Sequence, residues 1–297
     1  MELLKPYNDF VFKRIFGSEE NKNEVLLNFL NAVVKKTYPL GFKELVLLDP
    51  HLEKDASDDK KSILDIRAMG PDGEQVNIEM QVTDKSSMIK RSLYYWADLY
   101  QEQLTESKEY DTLRKTIVIN ILGYNLFKNE TEYHTIYRLR EEKTYRLLTE
   151  DQEIHFIELK KLKNHNLDEL ERWLIFIKGE QQEYWDDLVE KTPGLKKAIS
   201  ALEFLSQDRK ARAIYKAREK ALRDEATAAK FAREAESRGE ARGEARGEAR
   251  GIAKGMVEAK IVFVKNLLEQ GSMELLDIAR VTGLEVTDVE KLKKELD

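Results

Sequence analysis

The chain has 297 residues, 41% of them hydrophobic and 9% aromatic, enough to bury one large domain and carry an appendage. It contains no cysteine, which excludes disulfides and thiolate zinc sites and fits a reducing cytoplasm. The formal net charge of -6 argues against whole-chain attraction to nucleic acid, yet residues 207 to 254 hold fourteen Lys and Arg against nine Asp and Glu, a segregated +5 that leaves -11 elsewhere.

In chain order, FVFKRIFG (10 to 17) and EVLLNFLNAVV (24 to 34) carry the pattern of amphipathic helices, with Asp9 placed to cap the first. ELVLLDPHL (44 to 52) predicts an edge strand. ILDIRAM (63 to 69) and QVNIEMQV (75 to 82), joined by GPDGE, predict a hairpin. A helix follows from about Met88 to Leu104, with Tyr94, Tyr95, Trp96 and Tyr100 as packing surface. TIVINILG (116 to 123) is apolar without alternation, as a strand covered on both faces is. YHTIYRLRE and IHFIELKK predict two more strands, and LDELERWLIFIK (167 to 178) a helix. The chain is then expected to be helical to its end. Runs such as IVINIL and WLIFI fall far short of the roughly 20 residues that span a bilayer, and MELLKPYNDF lacks a signal-peptide core. A soluble cytoplasmic protein is expected.

The hairpin carries the chemistry. Period-two alternation puts Leu64, Ile66 and Ala68, with Val76, Ile78, Met80 and Val82, on one face, and Asp65, Glu79 and Gln81 on the other. Two carboxylates and an amide on adjacent strands, with no histidine near them, suit a hard divalent cation such as Mg²⁺ and so phosphodiester chemistry. The same pattern also describes the solvated face of an ordinary hairpin. His51, His134, His155 and His165 have no metal-binding spacing and read as structural or surface groups. Asp58, Asp59 and Asp84 read as loop residues.

NDFVFKRIFG (8 to 17), ILDIRA, NIEMQV, RSLYYWADLYQEQL (91 to 104), TIVINIL and EIHFIELKKLK (153 to 163), in that order and spacing, resemble the PD-(D/E)XK nuclease superfamily. Within it, the resemblance is to the recombination-promoting nuclease (Rpn) and putative transposase family. It covers roughly the first 200 residues and implies an α/β fold, a restriction-endonuclease-like mixed sheet flanked by helices. It further implies a Mg²⁺-dependent DNA endonuclease, with Mn²⁺ a possible substitute, linked to recombination or mobile elements. Carried over residue by residue, Asp65 and Glu79 hold the metal and Gln81 stands where the superfamily usually has a lysine. That lysine's positive charge is therefore missing. Asp9 resembles the acidic residue that the first helix can aim at the metal. Lys13, Arg67, Lys90 and Arg91 are candidates for phosphate contact, or else are ordinary surface charges or partners neutralising Asp65 and Glu79.

Two segments follow the expected nuclease-like domain of residues 1–200. In the first, 201–256, the repeat RGEARGEARGEARGIAKG (238 to 255) has a glycine every four residues, each costing a helix up to about 1 kcal/mol relative to alanine. Its glutamates are like-charged at i,i+4. Such a segment is either a flexible linker or a helical arm that pairs in an oligomer, and a pairing arm is the expectation. The second, 257–297, contains LLDIARVTGLEVTDVEKLKKEL (275 to 296), a helix-turn-helix outline with Ile278, Leu284, Val289 and Leu292 as its core. It is either a DNA-recognition module or a helical cap. Two functions stay open: a nuclease, or a non-catalytic DNA-binding or assembly protein on a nuclease-derived scaffold.

Overall fold

The computed structural model describes residues 2–48, 66–84, 87–104, 109–163, 167–180 and 182–296. Asp65, His51, His165, Asp58 and Asp59 lie outside them. The chain divides into two compact units, Met1–Asp224 and Glu225–Asp297. The expected boundaries at 200 and 256 both fall inside helices.

The first unit is built on a six-stranded mixed sheet. Its strands are β1 (Val46–Leu47), β2 (Ile66–Met69), β3 (Gln75–Gln81), β4 (Thr116–Leu122), β5 (His134–Tyr137) and β6 (Gln152–Glu158), in spatial order β1-β2-β3-β4-β6-β5. The central pairs β3–β4 and β4–β6 are parallel, and the outer pairs are antiparallel. Gly73 takes φ +90 in the turn between β2 and β3, a left-handed conformation that favours glycine. That turn sets the register Ile66 to Ile78 and Ala68 to Val76. As its unbroken apolar run predicts, β4 is buried at every residue.

Alternation divides the sheet into two unequal faces. Ile66, Ala68, Val76, Ile78, Met80, Ile117, Ile119 and Ile121 enter the large core with the helices α1 (Asp9–Phe16), α2 (Leu27–Val34), α4 (Glu169–Lys178), α5 (Trp185–Lys191) and α6 (Pro193–Gln207). Phe16 is the hub of that core: its ring centroid lies 4.4 Å from Phe12, 5.2 Å from Phe29 and 5.8 Å from Trp173. Aromatic pairs at such spacing add about 0.5–1.5 kcal/mol each beyond their buried area. A π-helical turn, Lys22–Leu26, leads into α2. Asp168 and Glu171 form a reciprocal capping box that starts α4 where the sequence places it.

The other face is covered by α3 (Met88–Glu102), which buries Met88 and Leu99 with Val118, Leu122, Ile154 and Phe156. Trp96 and Tyr100 stack at 5.0 Å, and they donate hydrogen bonds to Thr116 O (3.2 Å) and to Asp151 Oδ2 (3.2 Å). Tyr94, expected to pack, is instead 66% exposed because it projects from the outer side of α3.

The helix α7 (Arg209–Gln270) runs unbroken through the EARG repeats, in agreement with the helical reading. In the second unit, α8 (Leu275–Thr282) and α9 (Val286–Lys294) meet at Gly283, which ends α8 at φ +66. Ile278, Ala279 and Val289 are buried there with Val264 of α7, and Leu284 and Leu292 pack against them.

Candidate functional site

Strand alternation brings Glu79 and Gln81 to the α3 side of β3, where both are buried, at 3% and 8% exposure. An ionised carboxylate this far from water needs a counter-charge. Arg91, one turn into α3, supplies it: Arg91 Nη2 donates to Glu79 Oε1 at 2.6 Å, and Nη1 lies 3.4 Å from Gln81 Oε1. The same guanidinium donates to the Tyr95 hydroxyl at 3.1 Å and lies 5.5 Å from the centre of that ring. Gln81 donates through Nε2 to Thr83 O at 3.1 Å, which turns its oxygen toward Arg91. On the neighbouring strand, Asn120 is the register partner of Glu79. Asn120 Oδ1 lies 3.1 Å from Ser92 Oγ, and Asn120 Nδ2 donates to His155 O at 3.0 Å. An oxygen of Glu79 and an oxygen of Gln81 thus converge on one cationic group. This all-oxygen donor set fits a hard divalent cation.

The other expected residues are placed as follows. Asp65 adjoins Ile66, the register partner of Ile78, and lies outside the described residues. No cluster of three or more carboxylates or histidines suited to a metal occurs among the described residues. Asp9 is not the cap of α1: Asn8 occupies the N-cap, and its side chain accepts from Phe10 N at 3.2 Å. Asp9, the first helical residue, accepts from the same nitrogen at 2.7 Å. Both side chains can serve that end of the helix, and the chain leaves the extended conformation one residue earlier than expected. Lys13 is buried, at 7% exposure. Arg67 pairs with Glu102 at the far end of α3. Lys90 is exposed beside Arg91, and Asp84 is an exposed loop residue. Arg91 thus pairs with Glu79, one of the three roles that the sequence left open for it beside phosphate contact and an ordinary surface charge.

A second polar cluster, absent from the sequence reading, lies on the opposite face of β6. Glu153 and His155 are fully buried. Glu153 accepts from Lys115 at 2.9 Å and Thr37 at 2.5 Å, and its Oε1 lies 2.7 Å from His155 Nε2. His155 Nδ1 in turn lies 2.8 Å from His134 Nε2. Burial alone raises the Glu153 carboxyl, but hydrogen bonds from His155, Thr37 and Lys115 outweigh it and bring the pKa to about 2. Burial, then the charges of His155 and Lys36, lower His134 to about 3. The i,i+2 placement of Glu153 and His155 in an apolar strand was the available signal.

An open mixed sheet with parallel centre, helices on both faces and an acidic residue on a central strand is the architecture of PD-(D/E)XK nucleases. The chain matches the family model of PD-(D/E)XK nuclease family transposases over residues 6–232, and the protein belongs to that family. No curated protein and no solved structure gives a significant match.

Proposed function

We propose that the protein is a metal-dependent DNA endonuclease whose site is formed by Asp65, Glu79 and Gln81. The observation that carries the reading is the buried pair of Glu79 and Gln81, with oxygens of both turned toward one cationic group on the polar side of the β2–β3 hairpin. Asp65 and Glu79 would hold Mg²⁺ or Mn²⁺, and Gln81 would orient water without carrying charge. A bound divalent ion lowers the pKa of its water and stabilises charge on a transferring phosphoryl group. The protein's own part is to hold Glu79 in place. Arg91 does this by holding one carboxylate oxygen, and Tyr95 steadies the guanidinium. Lys90, exposed beside Arg91, presents a cationic donor suited to phosphate oxygens, while the Arg91 guanidinium is engaged by Glu79, Gln81 and Tyr95. Asp9, Lys13 and Arg67 have weaker claims: Asp9 serves the helix end, Lys13 is buried, and Arg67 is held by Glu102.

In the same reading the repeat-bearing part of α7 pairs with a second copy. Its glycines leave the helix surface open, with nothing within 4 Å of a Cβ placed at Gly239, Gly243, Gly247, Gly251 or Gly255. A non-catalytic DNA-binding or assembly role is favoured by one observation, that Glu79 already has a cationic partner in Arg91. Covalently closed circular DNA decides between the two. An endonuclease converts it to nicked or linear product with Mg²⁺ or Mn²⁺ and not with EDTA. Circles that stay closed in every condition contradict the proposal.

A further inference from the structure

A pocket of about 250 Å³ lies on the flank of α3 away from Arg91, lined by Ile89, Leu93, Phe127, Tyr137, Ile154 and Phe156, among others. Three of these rings form a cluster: Phe127 lies 5.4 Å from Phe156 edge-on and 5.5 Å from Tyr137, and Tyr137 lies 5.7 Å from Phe156. The Phe127 wall is fixed from behind. Glu158 accepts from its backbone N–H at 3.1 Å, and Lys161 donates to its carbonyl at 2.7 Å while pairing with Glu158 at 2.5 Å. Ile89, Leu93 and Tyr137 form an open rim, at 47%, 51% and 41% exposure.

Besides the Arg138 guanidinium, which pairs with Glu150 and Glu153, one polar side chain stands in this lining, an amide. Gln152 also lines the pocket and is 95% buried, on the α3 face of β6 with Ile154 and Phe156; its Oε1 has no hydrogen-bond partner among the described residues. Leaving such a group unsatisfied costs about 1–3 kcal/mol, and a leucine or methionine would fill the position without that cost. An aromatic wall with one amide that offers both an acceptor and donors is the complement of a heteroaromatic ring edge. Glutamine reads the adenine edge in this way, and aromatic side chains stack on any base. The volume is below the roughly 300 Å³ at which drug-sized pockets begin, which suits a single ring system.

We infer that this pocket takes one unstacked nucleobase, so that the protein's preferred substrate is DNA with an unpaired nucleotide near the scissile bond. The inference rests on the nuclease reading for its choice of ligand. The N-terminal turn of α3 connects the two places: Ile89 lines the pocket, Lys90 is exposed, and Arg91 touches Glu79. β3 and β6 stand two strand spacings apart, about 10 Å. A short stretch of strand crossing that turn has its phosphate near a helix N-terminus and Lys90, with its base available to the pocket. Taking a base out of the stack costs a few kcal/mol, least where it is unpaired, and this cost makes the pocket selective.

The test is anisotropy titration of labelled single-stranded and fully paired oligonucleotides, in EDTA, with wild type, Gln152→Met and Tyr137→Ala. Gln152→Met is expected to melt higher than wild type, because an unsatisfied amide is removed. It is also expected to bind the single strand roughly tenfold more weakly while duplex affinity stays within about twofold. Tyr137→Ala, at the exposed rim, should likewise weaken only single-strand binding. Unchanged single-strand affinity in Gln152→Met, equal loss on both DNAs, or a wild type that binds neither would overturn the inference. So would a Gln152→Met effect confined to self-association. Circle cleavage measured on the same preparations separates the two claims. Cleavage without a Gln152 effect removes the base pocket alone, and a Gln152 effect without cleavage removes the nuclease alone.

Discussion

Glu79 is a carboxylate withdrawn from water and held by a guanidinium, which makes its neighbourhood responsive to any competing cation. Removing Arg91 by Arg91→Ala should cost about 3 kcal/mol or more in urea unfolding without metal, because a buried charge loses its partner. Mg²⁺ should then stabilise Arg91→Ala more than wild type, since the ion takes over the missing counter-charge. Equal metal responses would count against a cation site at Glu79. In wild type, Mg²⁺ at about 100 times its Kd should add about 2.7 kcal/mol, a gain that Glu79→Gln removes. On the opposite face, His134 titrates at about 3 when folded, below the 6.5 of an unfolded histidine, so the unfolded chain binds more protons between these values. Its contribution is intact above pH 6.5 and is lost as pH falls, at up to about 1.4 kcal/mol per pH unit. Urea midpoints at pH 7 and pH 4.5 should therefore converge in His134→Gln. A wild-type-like drop in that variant would assign the loss to other groups.

At the scale of elements, the hairpin, α3, the buried β4, β5, β6 and α4 were all legible, because each follows from hydrophobic period or a turn signal within one short window. Gln81 and Glu79 on a shared face came from the same alternation. The Glu153–His155–His134 chain did not, since it joins β5 to β6 and depends on strand order rather than spacing. Arg91 as the partner of Glu79 was legible only as one of three readings, because the hairpin pattern does not say how α3 crosses it. Asn8 displaced Asp9 as the cap because both residues suit the position and one residue of phase decides. In α7 the repeat glycines weaken a helix that has open space around each of them. Gly243→Ala with Gly247→Ala should raise helix content and melting temperature, since each alanine adds up to about 1 kcal/mol. If the open glycine surface is where a second copy packs, the same pair of substitutions lowers self-association in sedimentation velocity. Unchanged self-association would separate the glycines from oligomer formation.

The whole molecule combines a nuclease-family sheet with a charged helix and a small three-helix cluster, and no described helix is long and apolar enough to cross a membrane. Its acidic total of -6 and its basic segment are compatible with DNA binding, because phosphate contact depends on local rather than summed charge. The proposed cutting activity depends on Asp65 and Glu79 together holding a metal ion. The most direct measurement is the rate at which closed circular DNA is cut in Mg²⁺ by wild type, Asp65→Ala and Glu79→Ala, with folding of each checked by circular dichroism. Folded variants slower than wild type by about a hundredfold or more are the predicted result. Variants that cut as fast as wild type would contradict it.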